Sequence, residues 1–144
     1  MALDFIPLLW REMFSSATGA CITIGTGTND DAVNRLMMIS VLQAKIHAAT
    51  VTDANLEYEG SITIDPTLLD ASGLLPHQHV HVYNITNGNR FETYIIKGMP
   101  DRGEITINGA AAHMAGRGDR VIIAAYAQVS PEEAQTWEPT RVFV

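Results

Sequence analysis

The dipeptide Gly60-Ser61 is the point in the sequence where residue types and spacing could do chemistry on the chain itself. The Ser61 hydroxyl lies one residue beyond the Gly60 carbonyl and can attack it through a five-membered ring. Glycine leaves that carbonyl sterically open and permits a strained backbone. This N→O acyl shift gives an ester, and elimination followed by hydrolysis leaves a pyruvoyl group on the new terminus. The junction is therefore a candidate site of self-cleavage.

The same glycine also has a purely structural explanation. Gly60 falls inside a pattern typical of a β-strand, where glycine often marks a bulge or a close approach of another backbone segment. Gly-Ser is also a common dipeptide. The junction therefore needs support from the residues around it before self-cleavage is preferred.

The elements around this junction are mostly short strands rich in β-branched and aromatic residues. Asp65-Pro66 predicts a short helix that ends at Gly73, and Asn87-Gly88 predicts a tight hairpin turn. Six or so strands with few helices and no βαβ alternation favour a mainly β fold, a small barrel. The predicted strands are Lys45 to Val51, Leu56 to Ile64, Val80 to Ile85, Arg90 to Ile96, Glu104 to Asn108 and Arg120 to Val129.

Composition limits the class of protein. The chain has 144 residues, 47% of them apolar and 17% charged, which suits one folded domain. The net charge of -7, with no run of lysine or arginine, argues against nucleic acid or an anionic membrane as partner. Cys21 is the single cysteine, and the apolar stretch near the start is short and lacks a basic flank. We therefore expect a cytoplasmic protein without an export signal or membrane span.

Four stretches resemble motifs of the bacterial aspartate 1-decarboxylases, in the order and with the spacing of that family. They are Met38 to His47, Tyr58 to Ser61, Thr86 to Tyr94 and Asn108 to His113. The resemblance covers about Met37 to Val144. It implies a six-stranded double-psi β-barrel with short helices, a homotetramer, and self-cleavage into a shorter β chain and a longer α chain.

The resemblance also implies an activity. L-Aspartate would be converted to β-alanine and CO2 through a Schiff base with a pyruvoyl cofactor formed from Ser61, for pantothenate and coenzyme A synthesis. Tyr94 matches the proton donor, while Tyr58, Thr93 and Asn108 match residues that assist cleavage. Thr93 also matches a substrate contact, as do Gly109, Ala110 and Ala111. On its own, Tyr94 would be interpreted as a half-buried strand aromatic.

Lys45 and Arg90 match the family's two cations, and the chemistry agrees because aspartate carries two carboxylates. Arginine binds a carboxylate through two parallel hydrogen bonds, and lysine provides a point charge. Taken singly, each is better explained as a surface cation at a strand end.

A metal is not expected. His77, His79 and His81 alternate and would share one face of a strand. We set a metal site aside because no acidic or cysteine ligand lies nearby in the sequence and the family needs no metal.

Two rival functions remain open. One is a double-psi barrel that is never cut and serves as a binding or structural module, and the other is a pyruvoyl decarboxylase for a different amino acid. Residues 1–36 are interpreted as an N-terminal extension to a barrel over residues 37–144, because the family usually starts near Met37. The sequence leaves open whether cleavage needs a maturation factor.

Overall fold

The structure, a computed structural model, describes residues 37–144; the predicted extension 1–36 lies outside the described residues. Within the described range the chain forms eight strands, two α-helices and one 3-10 helix. The strands are β1 (Ile39–Thr50), β2 (Asp53–Asn55), β3 (Ser61–Ile64), β4 (His79–Asn84), β5 (Arg90–Lys97), β6 (Ile105–Asn108), β7 (Arg120–Val129) and β8 (Thr140–Phe143). The helices are α1 (Pro66–Ser72), the 3-10 helix Gly109–His113, and α2 (Pro131–Ala134).

Strand formation follows the placement of branched apolar residues. Val80 and Val82 alternate with partly exposed residues along β4, and both valines are buried. Ile62 and Ile64 do the same in β3, and Ile105 and Ile107 in β6. Such side chains fit a pleated, half-buried surface. Their packing builds one core beneath the sheet.

The strands form one mixed sheet in the order β2-β6-β3-β5-β4-β7-β1-β8. β3 lies inside it, parallel to β5 and antiparallel to β6. Ser61, the first residue of β3, therefore sits between the end of β6 and the middle of β5. This arrangement surrounds the Gly60-Ser61 junction with backbone whose position is fixed on both sides.

Asp65 fixes the segment that follows β3. Its buried carboxylate caps α1 by accepting from the Thr67 N–H at 2.8 Å, and it also accepts from the N–H groups of Arg102 and Gly103 at 2.7 and 2.6 Å. Burial would raise the pKa of Asp65, but these backbone hydrogen bonds lower it to about 2. The carboxylate thus ties the helix start to the loop before β6.

The mainly β prediction is confirmed, and the sheet fits a small barrel-like fold. The helix from Pro66 and the Asn87-Gly88 hairpin between β4 and β5 are confirmed as well. The six predicted strands all have counterparts, and the described residues add two very short strands, β2 and β8, of three and four residues. No helix of the described part of the chain is long and apolar enough to span a membrane.

The predicted strand Leu56 to Ile64 is wrong in its first half. Residues 56–60 form a turn, and the strand begins at Ser61. Asn55 starts the turn, since its side-chain oxygen accepts from the Glu57 N–H at 3.0 Å. Gly60 is therefore a residue of the connection and not of a strand interior.

Candidate active site

Ser61 is completely buried at the start of β3. In the antiparallel register it lies opposite Asn108, the last residue of β6. Ile62 follows it into the core and pairs with Ile107 on one side and Ile95 on the other. Core packing next to the serine therefore fixes the position from which its hydroxyl could act.

Asn108 holds that hydroxyl. Its side-chain N–H group donates to Ser61 Oγ at 3.1 Å and to Thr63 Oγ1 at 2.9 Å. Asn108 is itself buried. A donor on the Ser61 oxygen stabilises negative charge that develops there, and it leaves the serine's own proton free to move to another group.

Gly109 packs directly against the Gly60-Ser61 junction. Its φ of +60° is left-handed, and a Cβ built on it would lie 2.7 Å from Gly60 Cα and 2.9 Å from the Tyr58 carbonyl oxygen. A Cβ on Gly60, by contrast, would meet only the Asn108 carbonyl oxygen, at 4.0 Å. A close backbone approach is therefore present, and Gly109 is the glycine that it requires.

The junction opens on a cavity of about 440 Å3. Six of the predicted site residues line this cavity, and three further lining residues were not predicted. The predicted ones are Gly60, Ser61, Thr93, Tyr94, Ala110 and Ala111, and the others are Phe91, Glu92 and Met114. Tyr94 is 41% exposed, which leaves its phenol open to a bound molecule. The cavity volume lies within the range of small-molecule sites.

Tyr58 and Asn108 lie at a second cavity, of about 410 Å3, whose lining also includes Thr63. The side chain of Tyr58 is largely exposed, so the structure does not bring it to the Ser61 cavity. Its carbonyl oxygen nevertheless lies close to Gly109, as described above. Tyr58 thus reaches the junction through its backbone.

The two predicted cations lie elsewhere in the described chain. The Arg90 guanidinium is 4.9 Å above the ring of Tyr83, at a neighbouring cavity of about 280 Å3 that also touches Glu92. Lys45 Nζ lies 5.9 Å from the ring centroid of Phe143. The described residues that line the Ser61 cavity include no lysine or arginine. A single chain therefore does not bring the cations and the serine together.

Tyr83, beneath Arg90, forms a hydroxyl pair with Tyr126 at 2.9 Å. Burial and this hydrogen bond raise the pKa of Tyr83 to about 12, although the Arg90 charge acts in the opposite direction. Tyr83 is therefore a neutral platform for the guanidinium and not a base.

Three asparagine side chains hold the segment that lines the cavity. The side-chain N–H groups of Asn84, Asn87 and Asn89 all donate to the Met114 carbonyl oxygen, at 3.1, 3.2 and 3.0 Å. Asn84 also donates to Asp119 at 2.7 Å. The hydrogen bond from the Gly116 N–H, together with this bond from Asn84, lowers the pKa of Asp119. The β4–β5 hairpin therefore positions the end of the 3-10 helix that carries Ala110 and Ala111.

The prediction that three histidines share one face of a strand is wrong for His77. His79 and His81 lie on one face of β4, but His77 precedes the strand with a left-handed φ of +67° and lies outside the cluster. Glu92, thirteen residues from His79 in the chain, lies beside both histidines because β4 pairs with β5. The sequence argument that no acidic ligand lies nearby therefore does not hold in three dimensions.

The three cavity residues that were not predicted differ in whether the sequence gave a signal for them. Phe91 and Glu92 fall inside the stretch Thr86 to Tyr94, which already contains three predicted residues, so their position was a usable signal. Met114 follows the last matched stretch and gave no such signal.

Fold and site together define a class: a small, mainly β protein whose cleft is built around one buried serine at a glycine junction. The sequence model of the aspartate decarboxylase family matches residues 37–144. The aspartate 1-decarboxylase of Carboxydothermus hydrogenoformans is 56% identical over 108 residues, which are 75% of this chain and 85% of that protein. The aspartate 1-decarboxylase of Syntrophus aciditrophicus is 55% identical over 104 residues, 72% of this chain and 90% of the relative. The chain belongs to the aspartate decarboxylase family.

Proposed function

We propose that this chain cuts itself between Gly60 and Ser61 and then decarboxylates L-aspartate to β-alanine and CO2. The observation that carries the proposal is the Asn108 side chain donating to the buried Ser61 Oγ at 3.1 Å, beside an open cavity that Gly60 and Ser61 both line. Relatives more than half identical to the chain are named for aspartate 1-decarboxylation. Family membership and site chemistry therefore favour the same reaction.

In the cleavage step, Ser61 Oγ attacks the Gly60 carbonyl carbon and the peptide C–N bond breaks, which leaves an ester. Elimination releases residue 60 as a carboxylate and leaves dehydroalanine at position 61. Hydrolysis with loss of ammonia gives the pyruvoyl group. Asn108 supports this sequence because a donor on the serine oxygen stabilises charge during attack.

The pyruvoyl group fits the residues present. Ser61 supplies its atoms, and the small side chains of Ala110 and Ala111 leave room beside it in the cavity. The group supplies a ketone that captures the substrate amine and accepts the electrons released when CO2 leaves. No metal is needed for this chemistry.

Tyr94 and Thr93 are the residues we assign to the substrate. Both line the cavity with Ser61, in the middle of β5. The exposed phenol of Tyr94 donates the proton to the carbon that loses CO2, and Thr93 contacts the substrate. Gly109 contributes backbone to the substrate contact at the start of the 3-10 helix.

Lys45 and Arg90 are the residues we assign to the two substrate carboxylates. They do not line the Ser61 cavity of their own chain, so a second copy would supply them. Exposed apolar side chains near the chain ends, such as Phe143 at 69%, offer contact surface for such an assembly. A homotetramer is our proposal for it, with each cleft shared between copies.

Three further assignments belong to the same proposal. The β-alanine would supply pantothenate and coenzyme A synthesis in the cytoplasm. Residues 1–36 would be dispensable, so a chain truncated to begin at Met37 should fold, cut itself and decarboxylate.

Whether a maturation factor speeds the cut can be read from the extent of cleavage in protein purified from a foreign host.

The test of the cut compares two buried serines. Ser61→Ala should give one intact, inactive chain, while Ser72→Ala, a buried serine of α1, should still give fragments of residues 1–60 and 61–144. Intact-protein mass spectrometry reads both outcomes. Two fragments from Ser61→Ala would contradict the mechanism, and an uncut wild-type chain would favour an unprocessed binding or structural module.

The test of the substrate uses cut wild-type protein and follows CO2 release. Aspartate should react and glutamate should not. Release from glutamate but not from aspartate would reassign the enzyme to another amino acid while leaving the cleavage proposal intact.

A further inference from the structure

His79, His81 and Glu92 form a cluster on the exposed surface of the β4–β5 hairpin. His79 and His81 lie two residues apart on β4, so their side chains share one face. Glu92 lies on β5 in register opposite His81. Two imidazoles and one carboxylate therefore meet although thirteen residues separate His79 from Glu92.

The two distances to the Glu92 carboxylate are close to the ligand spacing of a metal coordination sphere. His79 Nε2 lies 3.2 Å from Glu92 Oε2, and His81 Nδ1 lies 3.4 Å from Glu92 Oε1. The three ligand atoms all lie within 4.8 Å of one another. Tetrahedral zinc with ligands at about 2.0–2.1 Å has ligand-to-ligand edges of about 3.4 Å. We propose that His79, His81 and Glu92 bind a divalent zinc-type cation, with a fourth position open to water.

An ion pair explains the cluster less well. Glu92 has one charge, so it can neutralise only one protonated histidine, yet both rings point to it. The side chains of His79 and Glu92 are 63% and 61% exposed, where water screens a salt bridge and leaves it weak. A cation uses both neutral imidazoles and the carboxylate at once, which is the usual ligand set of open zinc sites.

The surroundings hold His81 in place. The Tyr126 ring packs edge-on against the His81 ring at a centroid distance of 5.1 Å, and the His79 ring also packs edge-on against it at 5.2 Å. Glu92 also lines the Ser61 cavity. A bound cation would therefore offset a negative charge on the wall of the cleft that we assign to a dianionic substrate.

The experiment is zinc titration of the chelator-treated, full-length protein by calorimetry, with cobalt absorption as a second readout of tetrahedral coordination. The wild type should take up one Zn2+ per chain at this site. His79→Ala and His81→Ala should each weaken binding by at least about tenfold, since each removes a ligand. His77→Ala and His113→Ala are the matched controls, because neither residue belongs to the cluster, and both should bind as the wild type does.

Folding can be checked in each variant by circular dichroism. Glu92→Gln is a third variant, and it should fold because the Glu92 side chain is exposed. Cys21→Ser reports any zinc held by the thiol instead. Equal zinc affinity in the wild type and in a His79→Ala/His81→Ala double variant would overturn the proposal. Absence of zinc uptake by the folded wild type would do the same.

Discussion

Replacing Gly109 by alanine should stop or slow self-cleavage without removing any chemical group. Gly109 begins the 3-10 helix that lines the cleft, and its backbone packs on Gly60. A methyl group here would lie 2.7 Å from Gly60 Cα, 2.9 Å from Gly60 N and 2.9 Å from the Tyr58 carbonyl oxygen. All three contacts are with backbone, so no flexible side chain can move aside. Either the cleavage junction or the helix start must shift.

The expected free-energy cost of Gly109→Ala has two parts. The left-handed φ of +60° disfavours alanine by about 1–2 kcal/mol. Overpacking adds about 1–3 kcal/mol. If the second part falls on the transition state of the acyl shift, cleavage slows roughly 5- to 150-fold.

Gly103→Ala separates the two parts. Gly103 has a φ of +59°, and a Cβ there meets nothing within 4 Å. Gly103→Ala should therefore lower stability only through the strained backbone conformation, and it should cut at the wild-type rate. Time courses of fragment formation by mass spectrometry measure the rates, and thermal unfolding at matched protein concentration measures stability. Equal cleavage rates in Gly109→Ala and Gly103→Ala would refute the claim that the contact with Gly60 positions the junction.

Three other substitutions test separate roles. Tyr94→Phe should leave the cut intact and slow β-alanine formation by about 10²–10⁴-fold, as followed by product assay; wild-type turnover would assign the proton to another donor. Arg90→Lys keeps the charge but loses the planar fork, so kcat/KM for aspartate should fall while processing stays normal. The pKa of Asp65 is lowered from 3.8 to about 2, so its stabilising effect is complete above pH 3.8 and is lost as pH falls toward 2. Asp65→Asn should therefore lower the wild-type melting temperature at neutral pH and flatten its decline in acid; parallel pH curves would contradict this.

Much of the fold could be predicted from local signals. The Asp65-Pro66 helix start, its stop at Gly73 and the Asn87-Gly88 hairpin depend on neighbours in the sequence, and the structure has all three. The predicted strand Leu56 to Ile64 is wrong over residues 56–60 because Asn55 and its turn outweigh the apolar pattern there. β2 and β8 are three and four residues long, too short for a periodic pattern to be visible.

The candidate site was predictable where the chain is continuous and unpredictable where partners are distant. Gly60, Ser61, Thr93 and Tyr94 come from matched stretches and share one cavity. The meeting of Glu92 with His79 depends on hairpin register, which a list of nearby ligands cannot reveal. The separation of Arg90 from that cavity depends on sheet geometry as well.

One of the asparagine side chains that donate to the Met114 carbonyl is open to slow chemical ageing by deamidation. Asn87 precedes Gly88, and an asparagine followed by glycine is prone to deamidation because the unhindered glycine nitrogen readily attacks the side-chain amide. Deamidation would replace a donor to the Met114 oxygen with a carboxylate that repels it. In aged protein only Asn84 and Asn89 would still donate to that oxygen, so the cleft-lining helix should be held more weakly while every residue assigned to the chemistry remains unchanged.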